Sequence, residues 1–136
     1  MANASWELQR AVFDAVATDV GVIALLGSAK VFDDVPRASD FPYVTFGQSI
    51  ERDWSTGGDD GGEHLITLHV WSRENGRREV HEIVGAVREA LHLQDLNVSG
   101  HRLVNLRHEF SDTRREADGE TYHGVVRFRA VTEVLV

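Results

Sequence analysis

With 136 residues, 42% of them hydrophobic, the chain is long enough to bury a core without a covalent staple, and the lack of cysteine excludes disulfides and thiolate-bound zinc. Lys and Arg number 14 against 22 carboxylates; the formal charge of −8 argues against broad adhesion to nucleic-acid backbone, which needs a cationic surface to release counterions. No apolar run approaches the ~20 residues of a membrane-spanning helix and no basic stretch leads into an apolar signal core, so the expectation is a single soluble domain, 1–136, not exported by a standard signal.

Ser5 is placed to cap a first helix with the stripe Leu8, Val12, Ala15 and Val16, widened by Trp6 and Phe13. Asp19 caps a short second helical turn through Leu25 and Leu26. Gly27 closes it, because glycine tolerates the left-handed conformation of a helix end. Val31 and Phe32 form a short strand or edge segment. The stretch between Pro36 and Pro42 is irregular, since proline lacks an amide donor and biases its predecessor to extended geometry.

Alternation over 43–50 predicts a strand, with Val44, Phe46, Gln48 and Ile50 opposite Tyr43, Thr45, Gly47 and Ser49. The segment 53–63 carries Asp53, Asp59, Asp60 and Glu63, with four glycines and no base, and reads as a mobile loop with little to bury. If 43–51 pairs with 64–72, this loop is the tip of a long hairpin. Trp54 within it either folds back on the domain or awaits a partner.

The clearest strand follows at 64–72, where Ile66, Leu68 and Val70 alternate with Leu65, Thr67, His69 and Trp71. After Gly76 the period changes. Val80, Ile83, Val84, Val87, Ala90 and Leu91 lie on one helical stripe, with Asn75 or Ser72 as the cap. Leu93, Leu96 and Val98 make an apolar connection that ends at Gly100. A strand over 103–110 places Val104, Leu106, His108 and Phe110 opposite Leu103, Asn105 and Arg107. A second long polar loop, 111–120, leads to a last strand, 121–132, with Tyr122, Val126, Phe128 and Ala130 opposite His123, Val125, Arg127, Arg129 and Val131. The fold class is α+β: a mostly antiparallel sheet of four to five strands, two main helices packed on it, and two long polar hairpin loops.

Seven histidines invite a metal or acid–base reading, but their spacing opposes it. His64 and His69 face opposite sides of one strand. His81 and His92 sit about 16 Å apart along a helix that rises ~1.5 Å per residue. The acids Asp59, Asp60 and Glu63 lack the alternating spacing of a calcium loop. No nucleophile elbow and no glycine-rich turn from strand into helix is present, so no catalytic residue, metal or cofactor is expected. His108 reads as a histidine at the core edge. A rival reading, a small ligand-binding or enzymatic domain, gathers His69, Trp71 and His123 around a pocket. Arg127 and Arg129 are either a docking face or an ion-paired one, with Glu109 or Glu51 as partners across the strands.

The order of Phe41-Pro42-Tyr43-Val44-Thr45-Phe46-Gly47, Leu68-His69-Val70-Trp71-Ser72 running into a helix, Asp118-Gly119-Glu120-Thr121-Tyr122-His123-Gly124 and Phe128-Arg129-Ala130 resembles the tail terminator, or tail-completion, proteins of long-tailed bacteriophages and gene transfer agents. The resemblance spans nearly the whole chain. It implies a structural, non-catalytic subunit that caps a finished tail tube as a ring, usually a hexamer. Its implied partners are further copies of itself, the tail tube protein and the head-side connector or stopper. DNA would pass the lumen without specific binding, no membrane is involved, and the particle neck would be assembled in the host cytoplasm. A stopper or head completion factor is the nearest alternative. On this reading the loops 53–63 and 111–120 dock to partners, with Trp54, Asp59, Asp60, Arg114, Arg115 and Glu116 as contacts and Arg127 and Arg129 on the polar sheet face. Loops that order on assembly would also oppose premature association.

Overall fold

The computed structural model describes residues 3–55, 57–58 and 60–135; Asp59, named above as a contact residue, lies outside them. Five strands join in the order β1-β2-β3-β5-β4, where β1 is Val31–Phe32, β2 Tyr43–Asp53, β3 Gly61–Ser72, β4 His101–Arg115 and β5 Tyr122–Val134. Only the β1–β2 pair is parallel. Three helices, α1 (Ala4–Ala17), α2 (Val20–Leu26) and α3 (Arg78–Leu91), complete the described chain. The α+β class and the mostly antiparallel sheet are as the sequence predicts.

The α3 stripe is buried as expected at Val80, Ile83, Val84, Val87 and Leu91. Neither Asn75 nor Ser72 caps it. The helix starts later, after Arg77, whose side chain makes no cap bond, and Ser72 Oγ instead donates to Glu79 Oε1 at 2.7 Å. Asn3, not Ser5, caps α1, its Oδ1 accepting the Trp6 amide at 3.0 Å. Ser5 Oγ donates to Glu51 Oε1 at 2.8 Å and pins the helix to β2. Asp19 and Gly27 act on α2 as predicted, with Gly27 at φ 86°.

All helices lie on one side of the sheet. Val80 and Val84 of α3 crowd Gly124, and Phe13 of α1 meets Phe46 at 6.4 Å between ring centroids. Between the layers, Val44, Leu68, Val70, Leu106, Val126, Phe128 and Ala130 pack on Leu8, Val12, Val16, Ile83, Val87 and Leu91. The opposite face carries no helix among the described residues and is the open face below.

Three register shifts alter which side chains reach it. One between Phe46 and Ser49 sets Ile50 opposite Leu65 on the open face, not with Val44 and Phe46 as alternation predicted. Two more, between Leu103 and Asn105 and between His108 and Phe110, turn Leu103, Leu106 and His108 toward the helices and Phe110 toward the open face, across from Arg127. Val104 falls in the first of these bulges and is 40% exposed.

The strands also run further than composition suggested. Gly61 and Gly62 pair with Glu133 and Thr132, and residues 111–115 pair with Val126, Val125, Gly124, His123 and Tyr122. The backbone ladder to a buried β5 is independent of β4's own polarity, so a polar sequence extends as strand. The hairpin connections shrink to 54–60 and 116–121.

Candidate functional site

The open face is organised around a line of hydrogen-bonded side chains from β2, β3 and β5. Trp71 stacks on His123 with ring centroids 4.0 Å apart and planes 9° from parallel. Its Nε1 donates to Thr45 Oγ1 at 3.1 Å. His69 Nδ1 lies 2.6 Å from His123 Nε2, and His123 Nδ1 lies 2.8 Å from Glu116 Oε1. With the carboxylate accepting the Nδ1 proton of His123, its Nε2 accepts from His69 Nδ1–H, so the chain is satisfied with both rings neutral. Burial, then His123 and Arg114, push the His69 pKa below its ordinary value.

The rival reading's three residues are therefore neighbours, but as a packed cluster. Two cavities lie elsewhere, one of about 770 Å³ beside the first half of β4 and one of about 280 Å³ beside Trp6 and Phe13. Among the described residues no group of three or more His, Asp or Glu side chains is arranged to hold a metal ion.

Two arginines of the same face, Arg127 and Arg129, are ion-paired. Arg129 Nε donates to Glu63 Oε2 at 2.6 Å, and its guanidinium lies 5.1 Å from the Trp54 ring centroid. Trp54 thus folds back on the sheet, and remains 47% exposed. Arg127 pairs with Glu109 at 3.9 Å, one of the two partners considered, and lies 5.1 Å from the centroid of Phe110. Its Nε is buried without a hydrogen-bond partner among the described residues. Phe110 and Glu63 were missed as parts of this face, the first because a bulge reversed its side, the second because its strand was read as loop.

The remaining residues expected to make contacts fall into two groups. Trp54 and Asp60 belong to the 54–60 connection, where the Trp54 amide donates to Gly61 O and the Asp60 carbonyl accepts from Val134 N at 3.0 Å. Arg114 and Arg115 are strand residues opposite His123 and Tyr122, and Glu116 is engaged by His123. Asp118 orders the 116–121 connection: its Oδ1 accepts the amides of Glu120 and Thr121, and its Oδ2 accepts Thr121 Oγ1–H at 2.6 Å. Those bonds lower its pKa to about 2. In the register of β3 with β5, Gly61 meets Glu133 at one end and Ser72 meets Tyr122 at the other. The 54–60 and 116–121 connections consequently lie at opposite ends of the sheet, separated by the 12 residues of β3, a distance of about 35–40 Å at ~3.3 Å per residue.

The family model for Tail completion protein gp17 matches residues 10–133. The chain belongs to this family. Its match runs from α1 through β5 and so takes in both sheet ends. A chain in the solved virion of a native gene transfer agent particle is 28% identical, with a TM-score of 0.90 over 98% of this chain and 99% of that one. A second solved structure, 15% identical with a TM-score of 0.53 over 98% of both chains, shares the fold alone. No curated protein matches the sequence.

Proposed function

We propose that this tail-completion family member is a structural particle protein that caps the completed tail tube as a ring, usually a hexamer, and joins it to the head-side connector. The observation that carries the reading is the near full-length likeness to a chain of a gene transfer agent virion, within a family match over 10–133. The placement of the two hairpin connections supports it. A subunit joining tube to connector needs two docking regions facing opposite ways, and 54–60 and 116–121 occupy opposite ends of the sheet. Trp54, Asp59 and Asp60 serve one end. Arg114, Arg115 and Glu116 serve the other. Arg127 and Arg129 hold the open face between them through Glu109 and Glu63. The net charge of −8 suits a lumen that lets DNA pass without adhesion.

Electron microscopy of particles from a producer strain lacking this gene tests the reading. Unattached heads with overlong or ragged tails are the expected result. Unattached heads with tails of normal length would assign the chain to the stopper side of the neck, and normal joined particles would overturn a neck role. Because Gly61 and Gly62 are strand residues, a loop deletion reaching them would damage β3, and Trp54→Ala is the cleaner probe of the 54–60 end.

A further inference from the structure

Three arginines of this chain each meet an aromatic ring and a carboxylate. Arg73 lies 4.4 Å from the Phe41 ring centroid and 3.9 Å from Asp118 Oδ2. Arg127 lies 5.1 Å from Phe110 and 3.9 Å from Glu109, and Arg129 lies 5.1 Å from Trp54 and 2.6 Å from Glu63 Oε2. The negative face of each ring attracts the cation, while the carboxylate neutralises it and fixes the guanidinium plane. A fourth group on the surface has the ring and the carboxylates but no arginine between them. It is the cavity of about 280 Å³ lined by Trp6, Phe13 and Phe46, with Asp14 and Asp33 among its walls. Trp6 is 52% and Phe13 37% exposed, so α1 turns a second stripe to solvent, at i and i+7, apart from its buried Leu8, Val12 and Val16. Both carboxylates are exposed, and neither forms an ion pair among the described residues. Arg10 also lines the cavity, but its guanidinium is held by Glu7 Oε1 at 3.4 Å.

We infer that this pocket receives the guanidinium of an arginine presented by a different protein. With Arg10 and Glu7 neutralising each other, Asp14 and Asp33 leave the pocket with two uncompensated negative charges beside three aromatic rings. A cation is the complement of both features. A guanidinium fits better than an ammonium, because it stacks on a ring through its plane while its fork reaches a carboxylate. The volume lies just below the ~300–1,000 Å³ of pockets that enclose whole small molecules and suits one inserted side chain. A chain of net charge −8 is also a better counterpart for a basic partner than for its own copy. The contact is additional to the two hairpin connections and holds whether or not the subunit forms a ring.

Titration of the isotope-labelled chain with blocked Gly-Arg-Gly tests this, with Gly-Lys-Gly and Gly-Leu-Gly as comparisons. The readouts are the NMR signals of the Trp6 indole N–H and of the Phe13, Asp14 and Asp33 amides. Saturable shifts at these positions are expected with the arginine peptide, weaker ones with lysine and none with leucine. Binding should fall about tenfold when Asp14→Asn and Asp33→Asn are combined, the loss of a charge-assisted hydrogen bond. Both side chains are exposed, so the fold should survive, and an unchanged melting temperature verifies it. Trp6→Leu, which removes a ring and keeps both charges, is the second variant and should weaken binding as well. No shift with the arginine peptide would overturn the inference, and so would equal shifts with leucine, which would make the pocket a plain apolar one. Shifts at Trp6 on raising the protein concentration without peptide would give the pocket to a second copy and overturn the assignment to a different protein. None of these readouts needs a particle, so their failure leaves the neck role standing, and normal particles from the deletion strain would leave the arginine pocket standing.

Discussion

Gly47 lies directly against the His69 ring: a β-carbon built on it would collide with Nε2 and come within 2.6 Å of Cδ2. The same ring is fixed on its other side by His123 Nε2, 2.6 Å from Nδ1, so it has nowhere to move. Gly47→Ala is therefore expected to destabilise the fold by about 1–3 kcal/mol, the usual range for overpacking. Urea denaturation measures this. His69→Ala in the same chain should recover part of the loss, giving a coupling between the two sites; simple additivity would show that the contact is not the cause.

Three histidines, His64, His69 and His108, are expected to make the protein acid-labile. Burial lowers the pKa of His64, His69 and His108 from the ordinary value of 6.5. For each, the unfolded chain binds more protons than the folded chain between the lowered value and about 6.5, so stability drops as the pH drops through that window. Their contribution is fully present above about 6.5 and is lost as pH falls through the folded values. His64 is the strongest case, since it is fully buried, bonded through Nε2 to Thr132 Oγ1 at 2.9 Å, and its Nδ1 has no partner among the described residues. Melting temperature should drop between pH 7 and pH 5, and the slope should flatten in His64→Gln. A melting temperature constant across that range would contradict the assignment.

Burial of the α3 stripe was legible because periodicity 3.6 is a long-range pattern that a single residue cannot disguise. Its consequences are sharp. Val84→Asp is expected to prevent folding, because Val84 is 8% exposed and a charge there has no partner. Gly124→Ala would place a methyl 2.7 Å from Val84 Cγ2 and 3.1 Å from Val80 Cγ2, and should cost about 1–3 kcal/mol. Val84→Ala in the same chain should relieve most of that cost in a melting experiment. Simple additivity of the Gly124→Ala and Val84→Ala losses would refute the contact.

Strand faces were less legible than helix faces, for a physical reason. Period-two alternation carries over a strand only while the register holds, and one extra residue reverses every side chain beyond it. Alternation groups Ile50 with Val44 and Phe46, and Phe110 with Val104 and Leu106, and each lies past such a shift. Val126, Phe128 and Ala130 on β5, where neither ladder shows a shift on that strand, were placed correctly. The same uncertainty hid part of the candidate site. The rival pocket reading already groups Trp71, His69 and His123, whereas Glu116, Glu63 and Phe110 join this face through pairings that composition alone does not disclose.

The 116–121 connection is ordered by its own hydrogen bonds. Three hydrogen bonds converge on the Asp118 carboxylate and lower its pKa to about 2, so it stays ionised in mild acid. Mild acid should therefore disturb the sheet face while leaving this turn formed. Asp118→Ala should release the amides of Glu120 and Thr121, which is read directly as faster hydrogen exchange at those two positions. Because the carboxyl is at the surface, the global melting temperature should change little. If the turn is the rigid edge that meets a partner, the same variant should lower the yield of joined particles; unchanged joining with the turn demonstrably loosened would move the docking role away from this end.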